Sequence, residues 1–293
     1  PGMMYAAIAR TPVDGANVKS VMDVKAKKVA GVTGVFKLRD AVAVVGTSVE
    51  ATQKAKNLLE IVWTEGKPAG FNSVKAASEY VARGQNLADK GLDYEKVGDA
   101  PAAIKSAAKV YKADYQSDYT YHAQMEPMNV TAKVSPDGKG AELWLGTQAP
   151  GLAMFVASKI LKTKIPMIRV HQKGLGGGFG RRIYPDLLAY GLILSKITKK
   201  PIKVIWSRED DVAAGKLRPM SAHHIEAGVD KDGKIVGWHQ RIVAESVIGY
   251  TGPPQRLKKL KGLDTLTLEG AKTLYTMPNK SVEYVRENRN AAL

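Results

Sequence analysis

The chain has 293 residues, of which 44% are hydrophobic and 25% are charged, a composition typical of a folded protein with room for two domains. It contains no cysteine, which excludes disulfide bonds, cysteine-ligated iron–sulfur clusters, thiolate zinc sites and cysteine nucleophiles. Its 44 Lys and Arg residues outnumber its 28 Asp and Glu residues, but they are dispersed and aromatic residues are few, which favours solvated surface over a nucleic-acid-binding protein.

The first 65 residues are predicted to form a small α+β unit. Short apolar segments predict strands at Met4–Ala9 and Gly34–Leu38. Every residue from Ala41 to Gly46 is apolar, which predicts a strand buried on both faces. Ser48 is placed to cap a helix that ends before a further strand at Leu59–Trp63.

Residues 66–105 are weakly patterned and are predicted to connect two domains. We expect one helix at Ser73–Arg83. The stretch that follows carries Gly91, Gly98 and Pro101, residue types that are common in loops. We therefore place the domain boundary in this segment.

Residues 106–293 have clearer patterns and are assigned to a second, mixed α/β domain. Two hairpins are predicted, because turn residues at 135–140 and 230–233 separate apolar segments. The predicted elements are strands at Ala107–Tyr115, Val130–Val134, Ala141–Leu145, Ile168–Val170, Ile202–Trp206, Ile225–Val229 and Ile235–Ala244, and helices at Gly151–Leu161 and Asp186–Ile197.

The most conspicuous motif is the glycine run at 176–180, in which only Phe179 is not glycine, followed directly by Arg181 and Arg182. A glycine-rich turn between a strand and a helix often binds an anion, because its backbone N–H groups are accessible and the helix start is partially positive. Two guanidinium groups at the mouth of such a turn suit phosphate or pyrophosphate.

Spacing excludes two nucleotide-binding motifs. Neither Lys-Ser nor Lys-Thr follows these glycines, as a P-loop requires, and the dinucleotide fingerprint Gly-x-Gly-x-x-Gly is not in register. The loop by itself leaves open a tight turn that binds no ligand.

Four further segments accompany the glycine loop in a fixed order. They are Pro1–Arg10 at the start, Tyr121–Asn129 and Trp144–Pro150 before the loop, and Trp206–Asp211 after it. Together the five segments resemble the molybdopterin-binding subunit of the xanthine dehydrogenase/aldehyde oxidase family, most of all the isoquinoline 1-oxidoreductase β-subunit type of aldehyde dehydrogenase. The resemblance covers nearly the whole chain, and residues 1–65 resemble that family's α/β-hammerhead domain.

The resemblance implies a molybdopterin-type molybdenum cofactor, which in some relatives carries a cytosine nucleotide. The backbone amides around Phe179 and Gly180 are expected to face an oxo ligand of the metal, and Phe179 is also expected to wall the substrate pocket. No residue of this chain is expected to ligate the metal. The expected cofactor contacts are Gly176, Gly177, Gly178, Phe179, Gly180, Arg181, Thr147 and Gln148.

The resemblance also implies a hydroxylase that oxidises aldehydes or N-heteroaromatic carbons with water as the oxygen source. Ile183 stands where xanthine-oxidising relatives have a purine-orienting glutamate, so a purine substrate is not expected. The family's general base lies near the end of the full subunit, beyond this chain. We therefore expect no catalytic residue here, an inactive isolated chain, and as partners the rest of the molybdenum subunit and a protein or domain with iron–sulfur clusters.

Neither end of the sequence resembles a natural terminus. The start has no signal-peptide pattern, and no apolar run approaches the ~20 residues of a membrane span. We expect a fragment or a processed chain, and the compartment is not predicted. The alternative function is a non-catalytic anion-binding or assembly module with the same fold.

Other polar and sulfur-containing residues have structural interpretations. His122 is interpreted as a hydrogen-bonded histidine that either supports the fold or faces the cofactor. His223 and His224 are adjacent on a predicted strand, so their rings point to opposite faces, and polar surface is the favoured interpretation. Arg208–Asp211 predicts a helix start, and Met125 and Met128 are expected to be packing residues.

Overall fold

The computed structural model describes residues 2–66, 70–252 and 254–288. Its strands are β1 (Met4–Arg10), β2 (Val18–Met22), β3 (Val32–Lys37), β4 (Ala41–Gly46), β5 (Glu60–Trp63), β6 (Leu92–Val97), β7 (Lys109–Ser117), β8 (Thr120–Tyr121), β9 (Asn129–Val134), β10 (Ala141–Leu145), β11 (Ile168–Gln172), β12 (Ile202–Ile205), β13 (Leu217–Arg218), β14 (Ser221–Val229), β15 (Ile235–Glu245) and β16 (Lys280–Glu287). Its helices are α1 (Val24–Lys27), α2 (Val49–Lys56), α3 (Ser73–Gln85), α4 (Ala100–Lys105), α5 (Pro150–Leu161), α6 (Asp186–Thr198), α7 (Arg208–Ala214), α8 (Val247–Thr251), α9 (Pro254–Lys259) and α10 (Thr265–Leu268).

The chain forms two compact units, and both are discontinuous in sequence. The first contains residues 1–69 and 121–216, and the second contains residues 70–120 and 217–293. These units follow sheet pairing rather than chain order, because β1 near the start pairs in parallel with β12 about two hundred residues later. The division into residues 1–65, 66–105 and 106–293 stays a prediction.

A mixed seven-stranded sheet organises the first unit, in the order β11-β10-β9-β12-β1-β4-β3. Two of its strand pairs, β1 with β12 and β10 with β11, are parallel. All six residues of β4 are buried, which confirms the strand predicted to be covered on both faces. Helices α5 and α6 pack on this sheet, α5 against β11 and α6 against β9 and β12.

Helix α6, which follows the glycine loop, packs its apolar face against the seven-stranded sheet. Leu187, Leu188 and Leu194 are buried in the core of the first unit, together with Trp206 just after β12. A Cβ on Gly191 would lie 3.3 Å from both Ala132 and Val130, so a glycine lets α6 approach β9 closely.

A five-stranded sheet organises the second unit, in the order β6-β16-β15-β14-β7. Helix α3 packs on β14 and β15 through Ala76, Ala77 and Tyr80, all of which are buried. Helix α4 packs on the same two strands, where Ile104 lies over Gly228 and Gly237. Among the described residues of the chain, no helix combines the length and apolar composition needed to cross a membrane.

Most predicted elements are confirmed, and together they form the mixed α/β architecture expected from the sequence. The three long helices α3, α5 and α6 lie where the sequence predicts them. The hairpins β9–β10 and β14–β15 are also confirmed. Ser48 caps α2 as predicted, since its side chain accepts a hydrogen bond from the N–H of Ala51 at 3.2 Å.

Two predictions in the second unit are wrong. The stretch after Arg83 is not simply a loop, because Leu92–Val97 forms β6 and pairs with β16, a partner far away in sequence. His223 and His224 do point to opposite faces of β14, but His224 is not on the polar surface. It is buried beside Gly84 of α3, and its Nδ1 lies 2.7 Å from Asp114.

Candidate functional site

The glycine loop lies between β11 and a 3₁₀ turn at Arg181–Ile183, and α6 begins only at Asp186. The strand–turn–helix pattern predicts that the loop forms the N-terminus of a helix, and this prediction is wrong. Any anion at the glycines has to be held by main-chain N–H groups of the loop itself, since the partial positive charge of a helix end is effective only within its first turn.

Contacts with neighbouring protein segments require several of these glycines. A Cβ on Gly176 would clash with Glu126, and a Cβ on Gly178 would lie 2.5 Å from Oε1 of Gln148. Gly177 and Gly180 have φ values of +90° and +97°, which favour glycine. Phe179 adopts φ +50° as the one non-glycine residue of the loop, so the run provides both tight packing and an unusual backbone path.

The two arginines that follow the loop do not lie at its mouth. Both side chains are fully buried, with 0% relative exposure. The guanidinium of Arg181 binds Asp186 through two hydrogen bonds of 3.2 and 2.8 Å and lies 5.8 Å from the ring centroid of Trp206. The prediction that Arg181 faces an anion is wrong for this side chain, because a buried guanidinium needs a buried carboxylate and Asp186 provides it.

Arg182 instead joins three segments of the first unit. Its guanidinium donates to the main-chain oxygens of Gly177 at 2.8 Å and Glu126 at 2.7 Å, and to Oε2 of Glu126 at 2.9 Å. A further, longer bond of 3.4 Å reaches the main-chain oxygen of Gly146, directly after β10. The second arginine is thus a scaffold for the loop.

Thr147 and Gln148, which the sequence analysis expects to contact the cofactor, lie beside the loop. The hydroxyl of Thr147 donates to the main-chain oxygen of Arg182 at 2.9 Å, and the N–H of Gln148 donates to the same oxygen at 3.1 Å. Oε1 of the exposed Gln148 side chain accepts a hydrogen bond from the N–H of Gly180 at 3.0 Å. The side-chain amide of Gln148 is therefore oriented by the loop, with its Nε2 donor left to face outward.

Three consecutive main-chain N–H groups of the loop, those of Gly177, Gly178 and Phe179, form no hydrogen bond with any residue that the structure describes. Gly178 is buried, whereas the ring of Phe179 is 62% exposed. A buried N–H without a partner costs about 1–3 kcal/mol. The loop therefore presents donors that a ligand with hydrogen-bond acceptors would satisfy.

Beneath the loop lies a polar cluster that sequence reasoning missed. Oδ2 of Asp211 accepts hydrogen bonds from Tyr121 at 2.9 Å and from Nε2 of Gln124 at 2.6 Å, and both Asp211 and Gln124 are fully buried. Arg208 donates to the hydroxyl of Tyr121 at 2.7 Å. Burial raises the pKa of Asp211, although the bond from Tyr121 and the nearby arginines partly oppose this effect.

The helix start at Arg208–Asp211 is confirmed as α7, which Ser207 caps through a capping box with Asp210. Sequence patterns near α7 identify its cap, but they give no sign that Asp211 contacts Gln124, because that contact depends on tertiary folding.

The histidine and the methionines next to this cluster have different environments. His122 contacts the main-chain oxygen of Lys216 through Nδ1 at 3.0 Å, and a Cβ on Gly180 would lie 3.7 Å from its Nε2. The structure therefore brings His122 next to the glycine loop. Met128 is buried as predicted, but the packing role predicted for Met125 is wrong, since 84% of it is exposed.

Comparison with known proteins assigns the family. Residues 81–284 match the molybdopterin cofactor-binding domain. The chain belongs to this family. This molybdopterin-binding chain is 30% identical to the isoquinoline 1-oxidoreductase subunit beta of Brevundimonas diminuta, over 99% of its own length and 38% of that protein. It is 25% identical to the nicotinate dehydrogenase large molybdopterin subunit of Eubacterium barkeri, over 86% of its length and 64% of that subunit.

Solved structures share the fold of the molybdopterin-binding chain. CO dehydrogenase from Oligotropha carboxidovorans superposes with a TM-score of 0.71 at 19% identity, covering 100% of this chain and 42% of that one. Aldehyde oxidoreductase from Desulfovibrio gigas superposes with a TM-score of 0.72 at 15% identity, and the match covers 99% of this chain and 36% of that one. The family predicted from the five sequence segments is thus confirmed, and the chain spans 38% of the length of its Brevundimonas relative.

Proposed function

We propose that this chain is part of a molybdenum hydroxylase and contributes the glycine loop to the binding site of a molybdopterin-type cofactor. The observation that carries the proposal is the set of three N–H groups, at Gly177, Gly178 and Phe179, that find no hydrogen-bond partner in the described part of the chain and lie beside the oriented side chain of Gln148. Membership of the molybdopterin cofactor-binding domain family supports the same cofactor.

The donors of this loop fit such a cofactor. The molybdenum centre and the phosphate of a molybdopterin present oxygen atoms, which accept hydrogen bonds from N–H groups. The carboxylates nearest the loop do not oppose this, because Glu126 is paired with Arg182 and Asp211 is bonded within the cluster beneath it. We include the cytosine dinucleotide form of the cofactor in the proposal without assigning residues to its nucleotide.

When bound, the molybdenum cofactor supplies two-electron oxidation of a carbon atom with water as the oxygen source. In this proposal the residues of this chain bind and orient the cofactor. The N–H groups of the loop and Nε2 of Gln148 donate to the ligand, and the exposed ring of Phe179 excludes water from the same side. Arg181 belongs to the scaffold, through Asp186. We assign proton transfer to the part of the subunit beyond this chain.

We further propose an aldehyde or an N-heteroaromatic ring as substrate, and iron–sulfur clusters on a partner subunit or domain as electron acceptor. The names of the relatives support the substrate class, since one is an isoquinoline oxidoreductase subunit and another a nicotinate dehydrogenase subunit. Ile183, 40% exposed just after the loop, presents an apolar surface with no carboxylate to orient a purine, which favours less polar rings. The alternative, a non-catalytic anion-binding module, is not favoured by these relatives.

The proposal is tested by measuring molybdenum in the mature full-length protein that contains this chain. We expect stoichiometric metal in the wild type and a loss of most of it in Gly178→Ala, because the new Cβ would displace Gln148. Gly151→Ala is the matched control, since a Cβ there meets nothing within 4 Å and the metal content should not change. A mature wild-type protein without molybdenum would refute the proposal.

A further inference from the structure

Glu126 lies directly against the first glycine of the loop. Its main-chain N–H donates to the oxygen of Gly176 at 2.9 Å, and its Oε2 accepts a hydrogen bond from the N–H of Gly176 at 3.0 Å. A Cβ at position 176 would clash with Cβ of Glu126, so both bonds depend on a glycine there. These two reciprocal bonds fix the position at which the loop begins.

Arg182 extends this contact to the next glycine. One guanidinium donates to Oε2 of Glu126 at 2.9 Å and to the main-chain oxygen of Gly177 at 2.8 Å. The side chain of Arg182 is fully buried, whereas that of Glu126 is 37% exposed. The planar guanidinium holds these acceptors at fixed angles, which the single ammonium of a lysine could not do.

Both oxygens of the Glu126 carboxylate are engaged, because Oε1 accepts a hydrogen bond from Asn129 at 2.9 Å. Burial by itself raises the pKa of Glu126, but the bonds from Asn129 and Gly176 and the charge of Arg182 outweigh it, so the pKa lies below its ordinary value. An ionised carboxylate with these partners is suited to hold the loop and not to accept a proton from a substrate.

We propose that Glu126 is the positioning residue of the glycine loop: it holds Gly176, and through Arg182 also Gly177, in the conformation in which the N–H groups of residues 177–179 can bind a ligand. The identity of that ligand rests on the proposed function, whereas the ordering of the loop is a property of the chain without cofactor. Glu126 acts through the main chain and contacts no reacting atom.

The test is amide hydrogen exchange of the cofactor-free full chain, measured by mass spectrometry. Glu126→Gln keeps the shape of the side chain but removes the charge opposite Arg182. We expect exchange in the segment 174–180 to become at least about tenfold faster at its hydrogen-bonded amides, those of Gly176 and Gly180, with exchange in β9 and β12 unchanged. Glu142→Gln is the matched control, because the carboxylate of Glu142 also contacts a neighbouring side chain, His171 at 2.9 Å, and the change should leave the loop unaffected.

Gly176→Ala tests the same contact while keeping the charge of Glu126, and it decides the question if Glu126→Gln does not fold. The expected result is the same local increase in exchange. Unchanged exchange at 174–180 in these variants would overturn the proposal, and so would an equal increase over the whole chain, which indicates a general stabilising role. Because no cofactor is present, a failure of the proposed molybdenum site leaves this result unaffected.

Discussion

Two acidic residues lie close to the glycine loop, Glu126 in the segment 121–129 and Asp211 in α7, where it contacts that segment. Their pKa values are shifted in opposite directions. Glu126 is partly exposed, and Arg182, Gly176 and Asn129 donate to its two oxygens. Asp211 is fully buried, and its Oδ1 forms no hydrogen bond with any residue in the described part of the chain. The pKa of Glu126 lies below its ordinary value, and the pKa of Asp211 lies above it.

The difference shows that nearby arginines do not by themselves lower the pKa of a carboxylate below its ordinary value. The guanidinium of Arg208 lies 3.7 Å from Asp211 and is 40% exposed, so solvent screens its charge. Arg182 is fully buried and lies 2.9 Å from Glu126. Desolvation therefore dominates at Asp211, whereas direct hydrogen bonds dominate at Glu126. The pKa of Glu126 is thus lowered, and that of Asp211 is raised.

The largest effect is expected from Arg182→Met, which removes the buried cation at the centre of this comparison. It removes the cation paired with Glu126 and the donor to the main-chain oxygens of Gly177 and Glu126, so we expect a loss of about 3–5 kcal/mol in the free energy of unfolding. Urea unfolding measures it. Arg169→Met, at an exposed position of β11, is the control and should change stability by less than about 0.5 kcal/mol. Equal effects of both variants would contradict the role of Arg182.

Smaller losses in the free energy of unfolding are expected when Glu126 and Asp211 are each replaced by the corresponding amide. Glu126→Gln should cost about 1–3 kcal/mol, because it removes charge-assisted hydrogen bonds from Arg182 and Gly176. Asp211→Asn should cost less than about 1 kcal/mol, because the amide has nearly the same size, its oxygen can still accept from Tyr121 and Gln124, and no buried carboxylate remains to be desolvated. Chemical denaturation of both variants at neutral pH checks the order. A larger loss of stability in Asp211→Asn than in Glu126→Gln would contradict this order.

The smallest effects concern the dependence of stability on pH, and their signs differ. The ordinary pKa values are about 4.3 for glutamate and about 3.9 for aspartate. Because the folded pKa of Glu126 is lowered, its contribution is present above about pH 4.3 and is lost as the pH falls through the folded pKa. Because the folded pKa of Asp211 is raised, its contribution is present below about pH 3.9 and is lost as the pH rises through the folded value.

Unfolding curves at a series of pH values test these signs by comparing the wild type with each variant. The advantage of the wild type over Glu126→Gln should shrink on acidification. Relative to Asp211→Asn, the wild type should instead lose stability as the pH rises. Parallel pH profiles for the wild type and Asp211→Asn would show that Asp211 titrates normally.

Local patterns predicted the parts of the fold that depend on local interactions. The burial of β4 and the lengths of α3, α5 and α6 follow from runs and periodicity of apolar residues. Strand β6 was missed, because its pattern is polar and its partner β16 lies far away in the chain. The parallel pairing of β1 with β12 has no local signal either, and it brings residues of both sequence-defined domains into one sheet.

The sequence by itself determined the family, because the resemblance rests on the residue types of five short segments and on their order along the chain. Only the tertiary structure decided the role of each residue. Arg181 and Arg182 look like anion ligands in the sequence, but folding buries them against Asp186 and Glu126. The physical reason is that burying a charge requires a partner with matching donors or acceptors, and such partners are brought together by the fold and not by adjacency in the chain.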